Sequence, residues 1–130
     1  MREAVGAGAK IQAFTRMQAW RNPKIAAVAR GLDAARHRDP AAAAAWEDRA
    51  ANRMRGAVCI VEALRTEGQL DPAWTIEDAA TLLSELTSFR VWDDLVNDAH
   101  MPPERYVEII TSAAIAALAA SPGISAGRGP

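Results

Sequence analysis

The sequence predicts an all-α domain of five to six helices, on three observations. Alanine dominates an apolar fraction of 50%, whereas Val, Ile, Tyr and Phe are few. Alanine is the strongest helix former, and sheets draw on branched and aromatic side chains. Apolar residues recur at steps of three and four, the period of a helix with one buried face. Proline follows Asn22 and Asp39 where that period restarts, as at a capped helix start. A chain of 130 residues suits a single domain, burying roughly two-thirds of its unfolded surface.

The elements follow in order. Residues 1–8 are small and glycine-bearing and are expected to be flexible, as is the Gly- and Pro-rich tail 121–130; the domain proper is 9–120. Ile11, Phe14, Met17 and Trp20 mark a short amphipathic helix over 9–20. Asn22 as cap and Pro23 at the first helical position start a second, running to His37 with Ile25, Val28, Ala29 and Leu32 on one side. Gly31 weakens it by ~1 kcal/mol relative to alanine and is expected to mark a close helix contact. Asp39-Pro40 opens the longest helix, 40–67, whose stripe includes Trp46, Met54, Ala57, Val61 and Leu64 and which ends at Gly68 as a left-handed cap. Leu70 to Trp74 is a loop with a hydrophobic anchor. Thr75 caps the next helix, with Asp78 as the carboxylate of a capping box. Thr87-Ser88 bends that helix by bonding back to the preceding turn, and it resumes through Trp92 and Leu95 to Asp98. Residues 99–103 form a rigid turn before a last helix from Pro103 to Ala120.

Charge is nearly balanced, at −1 overall, but unevenly spread. Residues 1–65 hold 12 Lys/Arg and 6 Asp/Glu, whereas 66–130 hold 3 and 10. The basic half either faces nucleic-acid phosphate or, the favoured reading, packs against the acidic half. Cys59 is the single cysteine; with no intrachain disulfide and an apolar run around it, it reads as an inert buried thiol in a reducing compartment. No segment has the ~20 apolar residues of a membrane span, and no signal-peptide core opens the chain, so a cytoplasmic location is expected. His37 and His100 lack the i, i+4 partner of helical metal sites, and Asp93, Asp94 and Asp98 read as a solvated carboxylate face. Neither metal nor other cofactor is implied. No nucleophile–base pair or phosphate loop supports an enzyme.

Several stretches resemble, in order, the C-terminal effector-binding and dimerisation domain of tetracycline-repressor-like (TetR) transcriptional regulators. Asp39-Pro40-Ala41 with Trp46 and Arg53 is similar to the start of that family's long helix, and Leu64 to Leu70 to its glycine exit. Ile76 to Leu83 followed by Leu86-Thr87-Ser88 resembles the next helix and its "LTS" bend. Leu95-Val96 and Pro103-Glu104-Arg105-Tyr106 resemble the passage into the last helix. The resemblance covers about residues 20–120. Departures fall at Ser84, Phe89, His100-Met101 and Glu108 to Ile110, where the family has Trp, Pro, Gly-Trp and a late Trp; they alter pocket lining or dimer packing.

The resemblance implies a bundle in which the last two helices of two copies pair as a four-helix dimer interface. The small-residue surface of the last helix, paired with leucines of the helix before it, gives the candidate contacts Leu82, Leu86, Leu95, Ile110, Ala113, Ala117 and Ala120; a single-chain core that uses every apolar position is the alternative. The resemblance also implies an apolar pocket among the middle helices for a small apolar effector. Phe14, Met17, Trp20, Trp46, Met54, Phe89 and Trp92 are the candidate lining, with Arg53 as a polar anchor; plain core packing is the alternative for each apolar one, and a solvated helix arginine is the favoured alternative for Arg53. The family's DNA-binding headpiece of ~45–50 residues has no room before Trp20. The chain alone is therefore not expected to bind an operator, and is an isolated domain, a truncated reading frame or a headless relative. The other reading is a small helical protein that binds a protein partner or heterodimerises with a full-length regulator.

Overall fold

The structure, a computed structural model, describes residues 2–120, with side-chain surroundings from Gly6 onward. Among these residues it is all-helical: α1 spans Arg2–Ala35, α2 Pro40–Thr66, α3 Ile76–Leu86, α4 the single turn Phe89–Trp92, and α5 Pro103–Leu118. The chain leaves α4 through a π-helical turn, Asp93–Asp98. No described helix is long and apolar enough to cross a membrane.

The start signals from Asp39 onward behave as local chemistry requires. Asp39 accepts from the Ala41 amide, Gly68 takes φ +72°, and Thr75 accepts from the Asp78 amide. The Thr87 hydroxyl donates back to the Leu83 carbonyl at 2.9 Å, ending α3, and Ser88 caps α4. Leu70 is buried beside an antiparallel bridge to Ala119, and Trp74 Nε1 donates to the Ala117 carbonyl at 2.7 Å. The anchored loop thereby fastens to the end of α5.

The first start signal is overridden. The two helices expected at 9–20 and 23–37 are one, with Pro23 inside α1, which lowers the helix count to four of more than one turn. Proline removes one i→i−4 bond there. Ala7, Ile11, Phe14, Gln18, Asn22 and Ala29 continue on one buried side across it, so packing holds the helix through the proline. Asn22 is 2% exposed and sits in that interior face, not at a cap. The helix also reaches back to Arg2, and Ala7 belongs to the core, although 1–8 was expected to be flexible; the tail 121–130 lies outside the described residues.

α1 packs on α2, α4 and α5, and α2 packs on α3. Two apolar clusters result. The larger draws on Ile11 and Phe14, on Ala57, Val61 and Leu64, on Leu83 and on Leu118; the smaller on Trp92, Tyr106, Val107 and Ile110. Leu86 touches both, and buried polar residues lie beside them: Thr15, Gln18 and Asn22 in α1, Ser84, Thr87 and Ser88 at the α3–α4 joint, Thr111 in α5. Thr15 and Thr87 satisfy their hydroxyls on their own helices, whereas Asn22 Nδ2, Tyr106 Oη and Thr111 Oγ1 have no hydrogen-bond partner.

Three local expectations are corrected. Gly31 has nothing within 4 Å of a Cβ; Gly56 is the close contact, where a Cβ meets the Phe14 ring at 3.0 Å. Cys59 is exposed, because an apolar run on a helix buries only one side, here Ala57, Val61 and Leu64. Val28 is 53% exposed. Because Gly31 is helical and open, Gly31→Ala is expected to raise the unfolding free energy by about 0.5–1 kcal/mol, measured by urea denaturation.

The basic and acidic halves face each other. Lys10 pairs with Glu67 at 3.0 Å, Arg16 with Glu104 at 3.5 Å and Arg30 with Asp93 at 2.6 Å.

Candidate functional site

A cleft of about 700 Å³ opens where α1, α2 and the α3–α4 joint meet, within the roughly 300–1,000 Å³ of small-molecule sites. α1 contributes Gln18, Asn22 and Ile25, α2 contributes Trp46, Arg49 and Arg53, and Ser88 and Phe89 come from the joint. Local sequence explains this placement. Thr87 and Ser88 stop α3 and restart the chain as α4, so Phe89 turns towards α1. The polar residues of α1 recur at 15, 18 and 22, the steps of its buried side, so they lie beside the apolar clusters.

Arg53 is half-buried in the wall. Its Nε donates to the Ser84 carbonyl at 2.9 Å and to Ser84 Oγ at 3.1 Å. Burial pulls its guanidinium below the ordinary value, while the Glu85 carboxylate opposes that shift. On the far side Tyr106 is fully buried; burial pushes its phenol up to about 12, with the Arg53 charge pulling the other way. The Arg36 guanidinium lies over the Trp46 ring, 4.8 Å from its centre, and fixes that indole as one wall.

Three of the eight predicted ligand residues, Trp46, Arg53 and Phe89, line this cleft. The others do not. Phe14 and Trp92 are buried in the two clusters and Met54 packs against the larger one. Met17 and Trp20 are 52% and 64% exposed on the outer side of α1, with Lys24 Nζ 4.5 Å from the centre of the Trp20 ring. The short-helix reading put these two on the inward side; the continuous α1 buries its 11, 14, 18 and 22 side instead. Sequence reasoning missed Gln18, Asn22, Arg21, Arg49 and Ser88. The available signal was polar side chains at 15, 18 and 22, in step with Ile11 and Phe14.

Of the predicted dimer residues, Ile110 is 4% exposed inside its own chain's smaller cluster and is not available to a partner. Leu82, Leu86 and Leu95 are half-buried against the same chain's clusters, Ala120 is half-buried, and Ala113 and Ala117 are exposed on α5 beside Ser112 and Ala116.

Beside the cleft, ion pairs clasp the end of α1 to α4. Arg30 chelates Asp93, and Arg36 and Arg90 share Asp33. The Arg30 hydrogen bond, helped by Asn97, holds Asp93 below its ordinary 3.8, and that from Arg36 does the same for Asp33. A carboxyl depressed in the folded state stabilises above its unfolded value, and that contribution is lost as pH falls through the folded one. The thermal midpoint is therefore expected to hold from neutral pH to about pH 5 and to fall below about pH 4. Asp93→Asn flattens that fall in a circular-dichroism melt series.

Among the described residues no group of His, Cys, Asp or Glu is placed to hold a metal ion. Comparison with family models, curated proteins and solved structures finds no match to this chain.

Proposed function

We propose that this chain is a sensor module: a non-catalytic helical domain that binds a small molecule in the α1–α2–α4 cleft and pairs with a second copy. More specifically, we read it as the effector-binding and dimerisation domain of a TetR-like transcriptional regulator. The observation that carries the reading is the cleft, which is of ligand size and lies between the two long helices at the Thr87-Ser88 bend. An occupant that prefers one spacing of α1 and α4 shifts the population of arrangements, which is all that sensing requires. The body of that effector is apolar, meeting Trp46, Phe89 and Ile25.

Pairing rests on the outward side of α5, where Ser112, Ala113, Ala116 and Ala117 are small and exposed, so a second helix can approach closely. Size-exclusion chromatography with light scattering tests this: a dimer mass at tens of micromolar is expected, and a clean monomer refutes it. The exposed Met17, Trp20 and Val28 along α1 favour a second reading, a small helical protein that docks a protein partner there. A monomer whose Trp20→Ala variant no longer binds a full-length regulator establishes that reading instead.

A further inference from the structure

We propose that the cleft selects an organic anion, an apolar body carrying a single acidic head, with the head on Arg53 and Arg49 and the body between Trp46 and Phe89. This deepens the effector-binding reading above and rests on it. The lining places five guanidiniums beside only two carboxylates, Asp48 and Glu85. Asp33 from the neighbouring clasp serves both Arg36 and Arg90. Five cations against three anions leave an excess of two. Among the described residues, Arg21, Arg49 and Arg53 have no carboxylate oxygen within 4.0 Å.

Arg53 is the telling residue. It is half-buried, its Nε is held by the neutral Ser84, and its two terminal nitrogens are not buried and have no protein partner, so a ligand in the cleft can take them without displacing a carboxylate. Its planar fork suits a carboxylate or sulfonate held by two parallel bonds. A second group points the same way. Asn22 lines the cleft, is 2% exposed, and its Nδ2 donor has no partner, so a ligand oxygen gives that buried donor the bond the protein does not supply. The aromatic walls account for the other half of the ligand. Phe89 and Trp46 face the space from opposite elements, and Ile25 adds an aliphatic surface.

The test compares two dyes with one arylamine body, 1-anilinonaphthalene-8-sulfonate and uncharged N-phenyl-1-naphthylamine, titrated by fluorescence into the intact chain. The sulfonate is expected to bind about tenfold or more tighter, as one charge-assisted hydrogen-bonded contact provides, and to be displaced by decanoate but not decanol. Arg53→Gln should remove that preference and leave the neutral dye unchanged, with far-UV circular dichroism confirming the fold. Arg49→Gln with Arg21→Gln, the second at an exposed position, should reduce it if Arg53→Gln does not fold. Equal affinity for the two dyes, or a preference untouched by every arginine variant, overturns the anion inference while leaving the cleft a binding site. Binding of neither dye overturns the effector-binding reading itself.

Discussion

Leu83→Ala is expected to lower the unfolding free energy by about 2–5 kcal/mol, the range for truncating a buried leucine that leaves a cavity. Leu83 is fully buried on α3, an element of 11 residues. Its neighbours in the larger cluster come from all the long helices, including Ile11, Val61 and Leu118. Those residues are held by different helices and cannot all move into the gap together, so the cavity term should persist. Leu82 is half-buried on the same helix and is the control: Leu82→Ala is expected to cost about 1 kcal/mol. Urea denaturation followed by circular dichroism distinguishes the two. Equal losses would show that α3 does not present Leu83 as its core residue.

Ala117→Glu is expected to convert the proposed dimer to a monomer, weakening self-association about a hundredfold or more. The residue is exposed on α5, so a glutamate there meets water in the single chain and leaves its fold intact. The Trp74 indole bond at this position uses the Ala117 carbonyl, which the substitution keeps. In a two-fold interface the change enters twice, placing two unpaired carboxylates where small residues allowed close approach. Light scattering reads the mass and circular dichroism the fold. A dimer mass that survives the substitution means that α5 does not form the interface.

Much of the fold after residue 38 was legible because its signals are local. Asp39-Pro40, Gly68, Thr75 and Thr87-Ser88 act on amides and carbonyls within four positions of themselves, and the structure uses each of them. The π-helical turn and the left-handed His100 at φ 59° had no such signal. A histidine in that conformation costs roughly 1–2 kcal/mol relative to its right-handed form, and the turn into α5 enforces it.

The candidate site was legible only in part, for the same reason. Trp46, Arg53 and Phe89, named as lining of the pocket the resemblance implies, do border the cleft, whereas the other five residues named with them do not. Arg49 carries no local signal of a site; it lines the cleft only because α1 and the α3–α4 joint meet α2 there. Gln18 and Asn22 were hidden by the Asn-Pro start signal, which assigned Asn22 to a cap and turned the preceding helix about its axis.

By itself the sequence determined the helical class, the bounds of α2, the starts of α3 and α5, and the charge complementarity of the two halves. These follow from backbone chemistry and from composition. The bent helix expected over 76–98 is instead α3, the turn α4 and a π-helical turn. Tertiary packing decided whether α1 runs through Pro23, which side of it is buried, and therefore what faces the cleft. The physical reason is one of scale. A cap or a proline changes a helix by ~1–3 kcal/mol, and a continuous buried face on both sides of it contributes more.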